Sequence, residues 1–411
     1  MVLNINVKAY DNNILDALRE ITRFQADIMF YPVKETLKAQ LIIQHNIQET
    51  TELPNSIIMS GRCDGTSNGF TVLIYTETRM QLNFCICRLN SLKSIQKPSA
   101  RFSPNNENYM TTPILNKMVW EMICFAKNVA KWEFETFRGF PICLTFDVDH
   151  LTTSLRYRIS RLAIILFHKQ PRNLKTWKKV VGYTRSKTFQ HKDTIMLLNK
   201  YKIKSTWFIF MRTRKSSIRF EGCLNPIYWP RETVTLINDL DKEEHEIGLH
   251  ASPFAAKAPK MLNLEKRLLE NLTKQEVVGV RVHSGKHKGL KYLKSAQNFF
   301  RYDASDLSNR GNGFLLGFSG TVTCHNFVRI PAHWMDTAMT NFKVNSWEEA
   351  FQNLEESANQ CAAIRAPLVI ILHNKPKEEF SLELLENFIK NVSLVGGHFI
   401  TMKDLLNEWL P

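Results

Sequence analysis

From residue 139 to the C-terminus, short apolar runs alternate with longer stretches of helical spacing. Runs at 142–146, 204–210, 246–249, 279–282, 302–304, 369–372 and 398–401 read as strands. Several are apolar at almost every position, the pattern of a strand buried on both faces. Between them, 194–201, 264–272 and 382–392 place apolar residues three and four apart and read as helices. Strands alternating with helices pair in parallel, in an open sheet or in a barrel. In both architectures, active residues collect at the carboxyl ends of the strands.

The first 135 residues lack that rhythm and predict a smaller, mixed α+β domain. Helical spacing covers 14–21, and 40–43 and 70–75 look like strands. Polar and proline-containing stretches at 97–99 and 102–106 mark loops. A helix over 113–131 would carry Leu115, Met118, Val119, Met122, Ile123 and Phe125 on its apolar side. A length of 411 residues suits this division into 1–135 and 136–411.

Composition narrows the class. The chain is 44% hydrophobic and 23% charged, enough for real cores and inconsistent with disorder. No run approaches the roughly 18 uninterrupted apolar residues of a membrane span. The opening Met1-Val2-Leu3-Asn4-Ile5-Asn6 shows no basic region followed by an apolar core, so a cytoplasmic protein is expected. Eight cysteines, single apart from Cys85 and Cys87, fit reduced thiols and offer neither a disulfide framework nor a paired zinc motif.

The net charge of +15 is unevenly spread. Residues 151–219 hold 18 Lys or Arg and one acid, Asp193, an excess of +17. The core of this segment, 151–190, reads as a basic insertion. An anionic membrane surface, an anionic glycan or nucleotide-sugar, and nucleic acid would all suit it, and so would plain solvent. No nucleic-acid motif accompanies the charge, and no such partner is expected. Within the insertion, Arg156, Arg158 and Arg161 precede the apolar run 162–167, behind Thr152, Thr153 or Ser154 as a cap. Such a helix packs on its own domain or lies on an anionic membrane.

Candidate chemistry sits where the strands end. In Thr145-Phe146-Asp147-Val148-Asp149-His150, alternation points both carboxylates to the same side. Two such charges oppose each other's ionisation unless a cation or hydrogen bonds compensate. A metal beside one, with the other left as a base, resolves the conflict; capping of a following helix is the plainer use. His245-Glu246-Ile247-Gly248-Leu249-His250 closes another strand on an imidazole, a common ligand for divalent ions and also a common structural group. In Val280-Arg281-Val282-His283, Arg281 and His283 share a side. An Arg beside a carboxylate favours its charged form and fixes its orientation. Finally, Ile370-Ile371-Leu372-His373-Asn374 ends a strongly apolar strand in His-Asn, which packing alone does not explain.

Together these four blocks resemble the polysaccharide deacetylases, the NodB-like group of carbohydrate esterase family 4, over residues 141–409. The resemblance implies an α/β fold, a distorted (β/α)7-type barrel, that removes N- or O-acetyl groups from sugars with a divalent metal. It implies Asp147 as catalytic base, Asp149 and His250 as metal ligands, Arg281 as the partner of the base and His373 as general acid. Lys204-Ser205-Thr206-Trp207-Phe208 resembles the family's second strand, and Gly397-His398-Phe399-Ile400-Thr401 its final one. Two departures stand out. Phe254 occupies the position of the second motif's other histidine, and Arg281-Val282-His283-Ser284 replaces Arg-x-Pro-Tyr. His283 is therefore expected to complete a set of Asp149, His250 and His283, with zinc as the first choice of metal and cobalt or nickel as alternatives.

Stretches 302–305, 313–317 and 330–336 resemble a bacterial subgroup with an extra N-terminal domain. By that resemblance, Trp334, Asp336 and Ser252 are expected at the substrate. Trp334 could stack on a sugar ring and Asp336 could orient a catalytic histidine; core or loop positions are the plainer alternative for both. His150 and His245 read as structural. The expected activity is deacetylation of a glycan or of a lipid- or nucleotide-linked glycan precursor, in cell-surface glycan biosynthesis. The substrate would be an N-acetylated sugar or oligosaccharide, met in the cytoplasm or at the inner membrane face, with the basic insertion against anionic lipid. A catalytically impaired glycan-binding relative and a small-amide hydrolase on the same barrel are the alternatives.

Overall fold

The computed structural model describes residues 2–8, 40–44, 57–63, 69–74, 109–110, 113, 116–117 and 120, and most of 139–409. Within the last span it omits 150–190, 212–229, 286–288, 307–312, 316–318, 325–326, 338–345 and 374–380. The helix expected at 14–21, the basic insertion with its 162–167 run, and His150 lie outside the described residues. Of the helix expected over 113–131, positions 116, 117 and 120 are described and helical.

The N-terminal region contributes β1 (Val2–Lys8), β2 (Gln40–Gln44), β3 (Ile57–Cys63) and β4 (Gly69–Ile74). They form one sheet in the order β2-β1-β3-β4, parallel between β1 and β2 and antiparallel elsewhere. The runs expected at 40–43 and 70–75 are β2 and β4. A fifth strand, β5 (Tyr109–Met110), pairs outside this sheet.

From residue 140 onward come β6 (Phe140–Val148), β7 (Thr206–Phe210), β8 (Glu246–Ala251), β9 (Gly279–Val282) and β10 (Tyr302–Asp303). They are followed by β11 (Phe314–Leu315), β12 (Val322–Cys324), β13 (Phe327–Arg329), β14 (Trp334–Met335), β15 (Leu368–His373) and β16 (Gly397–Phe399). Ten of these make one sheet in the order β12-β13-β10-β9-β8-β7-β6-β15-β14, with β16 added beside β6. Every pairing is parallel except β12 with β13. The remaining strand, β11, pairs with β5, and Asn116 exchanges two hydrogen bonds with the backbone of Ser319. Tyr109, Met110 and Asn116 are thereby tied to the parallel-strand unit.

The sheet is curled and helices lie between its strands, as the alternation predicts. The link from β13 to β14 is four residues long. Within it, Ala332 N–H reaches the carbonyl of Asp306 beyond β10, and the next N–H, of His333, reaches Val369 on β15. So short a bridge between strands near opposite ends of the sheet requires the sheet to roll into a partial barrel.

Alternation sorts the two faces of the strands. Phe140, Ile142, Leu144, Phe146 and Val148 of β6 join the core with Trp207, Ile209, Leu249, Val280, Leu368 and Ile370, against helical residues such as Leu236, Leu269, Leu354 and Phe388. Phe146 stacks on Trp207 at 4.3 Å between ring centroids. The other face of β6 presents Thr145 and Asp147. Helix Trp347–Ile364 is capped by Ser346, whose side chain accepts from Glu349 N–H, and carries Glu348 and Glu349 in its first turn. No helix among the described residues is long and apolar enough to cross a membrane.

Candidate active site

Parallel pairing brings the carboxyl ends of β6, β7, β8, β9 and β15 to one end of the sheet. Register sets the neighbours: Asp147 lies opposite His373 on β15 and Phe208 on β7, while His250 lies opposite Phe210 and Arg281. Asp149 follows directly after β6, and His283 opens the turn His283–Gly285 after β9. Residues as far as 226 positions apart in sequence, Asp147 and His373, thus meet at one place for a topological reason.

Arg281 is completely buried and organises the site from below. Its Nη1 donates to Asp147 Oδ1 at 2.6 Å and to Thr145 Oγ1 at 2.9 Å, and its Nε donates to the Ala304 carbonyl at 3.0 Å. The guanidinium lies 4.1 Å over the ring of Phe208, a placement favoured by the negative face of the ring. Phe208 in turn fills the space over Gly248, where a Cβ would come within 2.7 Å of the ring. The carbonyl of Arg281 stands 3.1 Å from His250 Nδ1. That nitrogen therefore carries the hydrogen, and Nε2 presents a lone pair.

His250 Nε2, Asp149 Oδ1 and His283 Nδ1 converge. The distances are 3.1 Å from His250 to Asp149, 2.9 Å from His283 to Asp149 and 3.2 Å between the two histidine nitrogens. Ligand atoms around a tetrahedral zinc, with bonds of about 2.1 Å, lie about 3.4 Å apart, so the trio fits a small divalent ion with little adjustment. The donors are two imidazole nitrogens and a carboxylate, a set suited to zinc and its neighbours, and they form the candidate metal group among the described residues. Facing lone pairs call for positive charge between them. Without an ion, a proton on His283 answers: burial pulls its pKa down, but the charge of Asp149 wins and raises it. Burial would likewise raise the Asp149 carboxyl, yet the charge and hydrogen bond of His283 hold it well below the usual carboxylate range.

Two further groups flank the trio. Asp147 has Oδ1 engaged by Arg281, and its Oδ2 stands 3.8 Å from His250 Nε2. His373 approaches from the other edge, its Nε2 4.0 Å from Asp149 Oδ2. Its backbone N–H donates to Asp336 Oδ2 at 2.9 Å, and its Nδ1 faces Asp336 Oδ1 at 2.6 Å. Burial disfavours charge on this ring, but fully buried Asp336 outweighs burial and pushes the pKa up to about 9. Asp149, His283 and His373 are half-buried, which leaves this face of the cluster open to a ligand.

The chain is similar to several solved polysaccharide deacetylases. One is a protein assigned as such from Mycobacterium smegmatis, 14% identical, with a TM-score of 0.45 over 67% of this chain and 92% of that one. Another is PdaA of Bacillus subtilis, a family 4 carbohydrate esterase, 13% identical, with a TM-score of 0.36 over 66% and 85%. A third, assigned as a polysaccharide deacetylase of O-antigen biosynthesis in Bordetella bronchiseptica, is 18% identical, with a TM-score of 0.30 over 66% and 90%. No family model and no curated protein matches the chain. Identities and scores this low leave the chemistry to be read from the side chains themselves.

Of the nine residues singled out from sequence, the structure gathers Asp147, Asp149, His250, Arg281, His283, His373 and Asp336 into one cluster. It places the other two elsewhere. Ser252 is buried, its hydroxyl donating to Glu265 Oε1 at 2.6 Å and accepting from Ala255 N–H, while its own N–H meets Glu265 Oε2. A group so committed has nothing left for a substrate. Trp334 is 1% exposed and packs against Phe351 of helix Trp347–Ile364, on the helical side of the sheet, where no sugar ring can stack. Asp336, expected at the substrate or behind a histidine, holds His373 and is closed to solvent.

His245 lies before β8, at the opposite end of the strands, where its Nδ1 accepts from Ser205 N–H. Sequence inspection passed over Thr145 and Phe210. Thr145 shares Arg281 with Asp147 and donates to the Ile370 carbonyl. Phe210 presents its ring to both His250 and His283, with centroids 5.7 and 5.4 Å away. Both follow from alternation, two residues before Asp147 and two after Phe208.

Proposed function

We propose that this chain is a metal-dependent hydrolase that removes acetyl groups from an acetylated sugar. The observation that carries the reading is the convergence of Asp149 Oδ1, His250 Nε2 and His283 Nδ1 between two groups fit for proton transfer. The acetylated sugar comes from the resemblance of the four sequence blocks to polysaccharide deacetylases.

Asp149, His250 and His283 would hold the ion. Bound there, a divalent cation supplies a water of lowered pKa and polarises an acyl carbonyl. Asp147 would accept a water's proton at Oδ2 as the water oxygen bonds the acyl carbon, because Arg281 occupies Oδ1 and fixes the plane of the carboxylate. Half-burial of the cluster and the ring of Phe210 limit competing solvent around the two imidazoles. His373, charged at neutral pH through Asp336, delivers a proton from Nε2 to the leaving nitrogen or oxygen as the bond to the acyl carbon breaks. The products are acetate and the free amine or alcohol. A lipid- or nucleotide-linked precursor is the substrate class we favour.

Purified protein supplied with zinc, cobalt or nickel is expected to release acetate from N-acetylglucosamine oligomers and to leave small ureides unhydrolysed. Acetate release at the wild-type rate in the Asp147→Asn protein would refute the assignment.

A further inference from the structure

The last residue of β9 is where the third member of the trio is set. At that point the ladder between β9 and β10 has run out: β10 pairs only Tyr302 with Gly279 and Asp303 with Val280, and Ala304 N–H makes one more bond, to Val280. The next acceptor along the edge, the Ala304 carbonyl, is taken by Arg281 Nε. Val282 N–H, immediately before His283, is instead received by a side chain, Ser305 Oγ, at 2.9 Å.

That hydroxyl does not stand alone. It donates to Asp303 Oδ1, which also accepts from Tyr292 OH at 2.9 Å and from Ser305 N–H at 3.2 Å. All three side chains are buried, Tyr292 and Asp303 completely. Burial pushes the Tyr292 hydroxyl well above its ordinary pKa, with the neighbouring Asp303 charge acting in the same direction, so it remains a donor. A hydroxyl that must both donate to a carboxylate and accept from an amide has one rotamer open to it. Asp303, Ala304 and Ser305 therefore hold β9 from one side: Ala304 fixes Arg281, and Ser305 fixes the backbone that launches His283.

We infer that Ser305, held by Asp303 and Tyr292, is a positioning residue for the metal: it sets the place of His283 Nδ1 relative to Asp149 and His250. This rests on the metal-binding reading given above. Groups that orient ligands from behind typically change metal affinity by about 10–100-fold, whereas a merely structural role would lower stability and leave affinity alone.

The test is cobalt(II) titration of the full chain, followed by visible absorption and by competition with a chromophoric chelator, beside thermal unfolding of the metal-free proteins. Wild type is expected to bind one ion, and Ser305→Ala to bind it about 10–100-fold more weakly with altered d–d bands. Tyr292→Phe, which keeps the ring and removes only the hydroxyl, is expected to weaken binding several-fold and carries the test if Ser305→Ala fails to fold. Affinity equal to wild type in both variants would overturn the inference and leave the metal site standing. A wild type that binds no ion would overturn the metal reading and this inference with it.

Discussion

Asp147 has one oxygen committed to Arg281 and one turned toward His250. An amide in its place can keep the Arg281 bond through its carbonyl and lose only the proton-accepting oxygen. Asp147→Asn should therefore cost about 10²–10⁴-fold in kcat while the stoichiometry of bound metal, read by elemental analysis, stays at one. Asp336 is the natural second substitution. Burial lowers the His373 pKa and Asp336 more than reverses this, to about 9. A general acid works only while protonated, so activity should fall on the alkaline side as His373 loses its proton. Asp336→Asn removes the raising charge, and the alkaline limb of kcat/KM should move to lower pH. A uniform loss of rate with the limb unmoved would make Asp336 structural only. Polar residues at strand ends were visible in sequence because nothing apolar was needed there. Ser252 was misplaced because its partner, Glu265, comes from a helix packed over it, and no local pattern announces that contact.

The strands that carry the site were also the most legible ones. Residues 279–282 coincide with β9, and those at 246–249 and 369–372 fall short of β8 and β15 only at their ends. Their apolar character is enforced on both faces. The two- and three-residue strands β11 to β14 carry no readable period, and none was expected between 304 and 369. Tertiary pairing alone makes them strands. One glycine in β9 shows how tightly the inside is packed. A Cβ at Gly279 would lie 2.0 Å from Tyr302 Cζ and 2.1 Å from its hydroxyl oxygen. Tyr302 cannot swing away freely, because its OH donates to Glu246 Oε1 at 2.8 Å and Glu246 also receives Thr206 Oγ1 and Lys403 N–H. Gly279→Ala should cost at least about 1–3 kcal/mol of stability in urea unfolding. Adding Tyr302→Leu should return part of that loss; no recovery would mean the clash is not with this ring.

At the scale of the molecule, the same side-chain chemistry sets how stability responds to pH, and the link that rolls the sheet is the sensitive point. His333 joins β14 to β15 twice: its N–H donates to the Val369 carbonyl, and its Nδ1 accepts from Val369 N–H at 2.9 Å. The ring is buried beside Phe314, and burial pushes its pKa down to about 3. His245, also buried, is pushed down to about 4 by burial, helped by Lys204. For such groups the unfolded chain binds protons first. Nothing is lost above the unfolded value of about 6.5. Below it, His333 alone should withdraw about 1.4 kcal/mol per pH unit until its folded value is reached. His373 acts in the opposite sense in metal-free protein: its contribution is complete below about 6.5 and is lost as pH rises through about 9. Urea unfolding with chelator present should thus show greatest stability near neutrality and a steep decline toward pH 4. Asparagine at 333 can offer Val369 N–H an amide oxygen that does not protonate in this range. His333→Asn should be less stable at pH 7 and yet lose less on acidification, by about one proton's worth of slope. If its acid slope matches wild type, the closure of the sheet is not where acid acts.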